Sequence, residues 1–327
     1  MRPAWVRRRP PPALGVAAAL LVAAFLAYAI WGFRAAAVAG FAVRSCTPLA
    51  LAAMCGILCE RTGVINIGIE GQMLLGAFAG FFGAAAFGVV FGVLAAAIIG
   101  ALGGAFLAVC AVSWRVDQII AGAVINIVAM GFTTFFYRPG FVIGSLPTWQ
   151  IPLLADLPLL GPIFFRAQPL AFLTFAVVIG LQVTLFRTTW GLRTTAVGEH
   201  PGAADTVGVN VARYRYGNVM LGGALAGLAG AMLSVEITGS FDRAMTAGRG
   251  FLALAIVIMG RWRPMLAWTA ALLFGLLSGL VNQLNFDQVI DVPPQFVAMV
   301  PYGTTIVVLA VFSTRVRPPA AAGRPYP

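Results

Sequence analysis

The chain has 327 residues, 61% hydrophobic and 9% charged, with a mean hydropathy of +0.95. Water-soluble domains carry roughly 25% charged residues, so the composition excludes an aqueous fold and marks an integral membrane protein. Its net charge of +11 rests on arginine alone, since no lysine occurs; the arginines stand at the ends of apolar runs, which points to a membrane surface and away from nucleic acid.

A helix that crosses a bilayer needs about 20 mostly apolar residues. In chain order such windows, or slightly shorter ones, cover 12–31, 43–59, 68–89, 91–113, 118–137, 168–187, 216–238, 248–260, 264–282 and 296–313. The first exceeds the roughly 7–15-residue core of a signal peptide and reads as a retained helix. The windows 43–59 and 248–260 are short for a crossing. Ten crossings with the N-terminus inside put fifteen of the 21 arginines on the inner side, the bias expected of a cytoplasmic face. Both termini are then cytoplasmic. The expectation is one transmembrane domain, 1–327, with a basic N-terminus (1–11) and a cytoplasmic tail (314–327). A proline-rich outer cap loop occupies 138–167 and a polar inner loop 188–215.

Two stretches interrupt apolar helices with polar and glycine residues: "ERTGVINIGIEGQ" at 60–72 and "EITGSFDRAMTAGRG" at 236–250. In the ten-crossing topology they belong to units of opposite direction, a weak inverted repeat. Inverted repeats with broken helices are a transport architecture. Nearby glycines (76, 80 and 83; 222, 223, 227 and 230) fit close helix packing equally well.

Cys46, Cys55, Cys59 and Cys110 lie in apolar windows and read as small buried residues. His200 stands far from them, so no metal site is expected. Without lysine there is no GxxxxGK[ST] phosphate loop, and HExxH and GxSxG are also missing. These absences argue against an enzyme and place any nucleotide hydrolysis on another chain. In the inner loop, Pro201 suits the first turn of a helix, and Glu199 just before it suits the positive N-terminal end. "PGAADTVGV" then makes a helix of about two turns, too short to stand alone in water. Its small residues Gly202, Ala203 and Ala204 suit a neighbour's groove.

Four segments together, "ERTGVINIGIEGQMLLGAF", "DQIIAGAVINIVAMGF", "AVGEHPGAADTVGVNVARYRYGNVMLGGALAGLAGA" and "GRGFLALAIVIMGRWRP", resemble the permease subunits of ABC importers in the ribose, nucleoside and branched-chain amino-acid family. The resemblance covers roughly residues 44–313 and is nearest the nucleoside-like branch. It implies an all-α membrane fold of the ABC type II importer kind. It also implies ABC ATPase subunits below, a second permease beside it (a different chain, or another copy) and an extracytoplasmic substrate-binding lipoprotein above. The setting is the bacterial cytoplasmic (inner) membrane. "GEHPGAADTVGV" matches the coupling helix of the family, which places Glu199, His200, Pro201, Gly202, Ala203, Ala204 and Asp205 at the ATPase contact. No cofactor is expected on this chain, ATP and magnesium belonging to the ATPase.

A neutral polar solute needs groups that both donate and accept, as side-chain amides do. Asn66, Gln72, Asn126, Asn282 and Gln283 are therefore pathway candidates, with the ionisable Glu70 and Glu236. Each also has a structural reading: Asn126 as a bond between helices, Asn282 and Gln283 as hydrated residues at a helix end, Glu70 as a cap on the start of its own helix. The functional alternatives are a simple-sugar permease of the ribose or galactoside type and an ion-coupled secondary transporter.

Overall fold

The computed structural model describes residues 33–138, 140, 142–144, 146, 148–150, 152, 165–286, 299, 302–304, 306 and 317–326. The window 12–31, most of 296–313, the basic N-terminus and most of the cap loop lie outside them. Ten helices are described: α1 (Phe33–Glu60), α2 (Ile69–Phe87), α3 (Val89–Ala108), α4 (Gln118–Phe135), α5 (Pro169–Arg187), α6 (Thr189–Glu199), α7 (Pro201–Thr206), α8 (Val211–Ala231), α9 (Arg249–Met259) and α10 (Pro264–Phe286). Wide π turns at Val109–Ser113 and Met232–Ile237 extend α3 and α8. One departure from an all-helical chain is a two-residue antiparallel ladder, Trp149–Gln150 with Arg166–Ala167, in the cap region.

Six helices among the described residues are long and apolar enough to cross a membrane: 38–60, 69–87, 89–113, 118–135, 169–187 and 211–237. The short 43–59 window is therefore part of a full-length helix. By contrast, α9 has only 11 residues, about 16 Å at 1.5 Å per residue, and reaches partway across.

Central helix α1 packs on α5, α8, α9 and α10, and every residue from Leu49 to Glu60 is buried. Pro48 lies inside it and removes one backbone N–H. One turn back, the carbonyl of Arg44 instead accepts from the Thr47 hydroxyl at 2.7 Å. Cys46, Cys55, Cys59 and Cys110 are buried free thiols.

Glycine brings α2, α3 and α8 into near backbone contact. A methyl group on Gly76 would strike the backbone of Gly227, one on Gly100 the carbonyl of Gly223, and one on Gly230 the carbonyl of Met73. Gly92, Gly100 and Gly104 all meet main chain in this way, and their spacing of eight and four keeps them on one helix face. Close packing of small residues takes the place of a hydrophobic drive between helices in lipid. The outward faces of α3 and α4 are greasy instead, with Phe91, Leu94, Ile98, Ile127 and Phe135 exposed.

Gly227→Leu should cost about 1–3 kcal/mol or more through overpacking. Gly131→Leu, on α4 with open space around the glycine, should leave stability unchanged. Thermal unfolding of the two purified variants checks this contrast.

Candidate translocation site

Two segments leave helical geometry inside the bundle. The first, 61–68, joins α1 to α2; the second, 238–248, joins α8 to α9. Buried non-helical backbone persists only where protein or water satisfies its polar groups.

In the first break the N–H groups of 61–64 turn back onto the end of α1, and further partners come from distant parts of the chain. Ile65 N donates to Gln118 Oε1 at 2.7 Å, and Gly71 N to Asn126 Oδ1 at 2.7 Å. Asn126 Nδ2 in turn donates to the Ile67 carbonyl at 3.1 Å. Arg215, 1% exposed, donates from Nε to the Thr62 carbonyl at 3.1 Å. Arg61 closes the end of the break through Trp262 O at 2.9 Å and Thr195 Oγ1 at 3.1 Å. Beside it the Trp262 indole donates to the Glu60 carboxylate.

The second break is held largely by its own turns. Thr238 Oγ1 donates to the carbonyls of Leu233 and Ser240 at 2.9 and 2.8 Å, and Arg249 Nη1 to that of Met245 at 2.9 Å. The N–H at its end and one in the first turn of α9 go elsewhere. Gly248 N donates to Glu70 Oε1 at 2.7 Å and Gly250 N to Glu70 Oε2 at 2.6 Å. Glu70 lies in the first turn of α2, so one carboxylate serves two helix N-termini, each with a positive dipole end. Both glycines of "GRG" follow from this joint. Gly248 is left-handed (φ 82°), and a Cβ on Gly250 would meet the Glu70 backbone at 2.5 Å. Glu70 thus caps α9, where the sequence pointed to its own helix.

Asn66 and Gln72 are fully buried and bonded to each other, Asn66 Nδ2 to Gln72 Oε1 at 3.0 Å, with Cys55 and Cys59 sulfurs alongside. Asn66 Oδ1 and Gln72 Nε2 have no partner. Asn126 is committed to the break. Glu236 caps α5, accepting from Leu170 N at 2.8 Å. It also borders a cavity of about 540 Å³ shared with Phe41, Arg44, Gln168, Asp242 and Arg249. Gln283 sits on α10, one turn past Gly279, which packs on Val38 and Phe41; the side chain of Asn282 lies outside the described set.

In the 188–215 loop, Glu199 ends α6 instead of introducing α7, and Thr188 caps α6. His200 joins the two helices, and Pro201 is the first residue of the six-residue α7. Ala204 points inward, in a small cluster with Val197 and Val211, which corrects its placement on the outer face. His200, Gly202, Ala203 and Asp205 are exposed, and nothing lies within 4 Å of a methyl built on Gly202. One feature had no sequence signal: residues 317–326 strap this loop to the first break. Ala321 N donates to Gly198 O at 2.9 Å, Gly323 N to Gly63 O at 3.0 Å, and Tyr326 Oη to Asp205 Oδ2 at 3.1 Å. Arg215 Nη1 adds a bond to Arg324 O at 3.1 Å.

The family described as branched-chain amino acid transport system / permease component matches residues 38–309. The chain belongs to that permease family. It is a multi-pass membrane permease, a transport subunit and not an enzyme. It is 39% identical to the nucleoside ABC transporter permease protein NupC of Lactococcus lactis subsp. cremoris, over 86% of this chain and 93% of that one. It is 38% identical to the guanosine ABC transporter permease protein NupQ of Bacillus subtilis, over 85% and 92%. A permease of Haloferax volcanii provisionally named for glucose, TsgC13, is 36% identical over 82% and 89%. No solved structure matches the permease.

Glu70→Ala strips the acceptor from two buried N–H groups and should cost about 2 kcal/mol or more. Glu70→Gln keeps an oxygen acceptor and should lose less. Thermal midpoints of the two variants in one detergent test the order; an unchanged midpoint for alanine would remove Glu70 as the tie.

Proposed function

We propose that this permease forms half of the channel of an ATP-driven ABC importer for nucleosides. The observation that carries the reading is its likeness, over most of both chains, to permeases named for nucleosides and for guanosine. Two inverted units in which α9 crosses only part of the membrane, cytoplasmic termini and a cytoplasmic-membrane setting complete the proposal; the arginine bias and the two breaks joined at Glu70 support it. A second, different permease, two ATPases and a binding lipoprotein are its partners, with ATP and magnesium on the ATPases.

In this reading α7 and the residues before it, Glu199 to Asp205, dock on the ATPase. The open flank of Gly202 and Ala203 supports that use. Docking motion passes into α6, the terminal strap and the first break, and from there through Glu70 to α9. The mixed polar and aromatic cavity beside Glu236 receives the solute from the outer side. Its chemistry suits a neutral solute with hydroxyls and a flat ring: Phe41 offers a stacking face, Gln168 and Asp242 hydrogen bonds. Asn66, Gln72 and Asn126 act by holding the break in shape; the location of Gln283 leaves it a pathway role only near the outer end.

Two measurements test this. In vesicles holding both permeases, the ATPases and the binding protein, guanosine uptake should require ATP and survive an ionophore. Uptake that persists without ATP and collapses with the ion gradient would support the secondary-transporter reading. Competition by glucose and not by nucleosides would favour the sugar reading, which the glucose-named relative motivates. Separately, Gly202→Trp should abolish ATPase co-purification while the thermal midpoint holds; unchanged co-purification would argue against docking at α7.

A further inference from the structure

Where α1, α6 and α9 end, four arginines crowd together. Arg61 and Arg263 both lie over the Phe186 ring, with guanidinium carbons 4.9 and 5.6 Å from its centre. Arg61, Arg261 and Arg317 line one cavity of about 90 Å³ with Thr195 and Glu199. A single water needs about 10–15 Å³ on this measure, so the space admits a tetrahedral oxyanion and is too small for a nucleoside.

Its described lining is net positive. Glu199 is the one carboxylate among the described lining residues, against three guanidiniums. Glu199 Oε2 also accepts from the backbone of Ala320. Burial, reinforced by the neighbouring Arg263 charge and opposed by Glu199, lowers the Arg61 pKa from its ordinary value. The arginines gather despite that mutual cost. Arg61 is already aimed by its bonds to Trp262 O and Thr195 Oγ1, and Arg261 is held at a left-handed φ of 51°. Backbone in that conformation is strained for a non-glycine residue and persists where the surroundings impose it. A planar guanidinium presents a fork of donors that matches phosphate oxygens.

We propose that this cavity is a phosphate-binding site, built by Arg61, Arg261 and Arg317, that fastens the terminal strap to the loop carrying α7. Arg61 directly follows the 38–60 span and Arg261 directly follows α9, so the site lies at the level of lipid headgroups. Arg261 and Arg317 are exposed, leaving it open to a ligand from outside. A phosphodiester of an anionic lipid and free inorganic phosphate offer the same oxygens. The site is separate from the solute cavity, and its test reads binding without transport, so it stands or falls apart from the nucleoside reading.

The permease is placed in nanodiscs of purely zwitterionic lipid, and its thermal midpoint is followed during titration with inorganic phosphate. A parallel series replaces part of the lipid with phosphatidylglycerol, and retained lipid is counted by native mass spectrometry. Phosphate-dependent stabilisation in the neutral discs assigns the site to free phosphate. Stabilisation by phosphatidylglycerol alone, with retained lipid, assigns it to the headgroup. In either case the double variant Arg261→Gln/Arg317→Gln should weaken the effect at least about tenfold, as expected for losing charge-assisted contacts. Two results overturn the proposal: wild type insensitive to both ligands, or equal responses in wild type and double variant. Stabilisation that comes only from added ATPase also overturns it, because the arginines would then serve a protein carboxylate. The wild-type titrations decide the matter even if the double variant fails to fold.

Discussion

Everything in this permease turns on a cost: bare peptide groups inside a membrane are worth several kcal/mol each. Two broken helices create many such groups, and the fold answers with one carboxylate at the joint. Glu70 ties the start of α2 to the start of α9 through two charge-assisted bonds, the stronger class of hydrogen bond. Both helix ends turn their free N–H groups and positive dipole ends toward that carboxylate. Neither break can shift its helix without moving that shared anchor.

Around the joint, rigidity comes from closeness. The α2, α3 and α8 backbones touch along glycine faces, so the helix carrying Glu70 is locked to the helix that leads into the second break. Softer parts lie elsewhere. The six-residue α7 is held by one small apolar cluster and by the strap, which is little packing for an element that would have to transmit motion. A rigid middle with lightly held ends is suited to moving as a body, with bending confined to the breaks and the loop at 188–210.

Much of this was legible in the amino-acid order. Polar residues amid apolar ones marked both breaks, and small residues at helical spacing marked the close contacts of Gly76, Gly227 and Gly230. The family could be recognised from four segments. The partners of the breaks could not be read, because hydrogen bonds such as Arg215 to Thr62 join positions far apart in the chain. An arginine near the end of an apolar run looks like an interfacial residue, whereas Arg215 is sealed in the interior. Asn66 and Gln72, named as pathway candidates, bond to each other. An amide suited to a solute is equally suited to another amide, and composition does not separate the two. Ala204 shows the same limit: three small residues in a row on a short helix do not say which one faces home.

The terminal strap carries a consequence for biogenesis. Its bonds to Gly63 and Gly198 join residues 321–323 to a break and a helix that are synthesised much earlier. Contacts of such long sequence separation form late, after loop closure across nearly the whole chain. Until then the first break lacks its bonds from Gly323 and from the pairing of Arg215 with Arg324, and the α7 loop is untethered. Synthesis order therefore leaves the first break and the α7 loop incomplete until residues 317–326 have emerged.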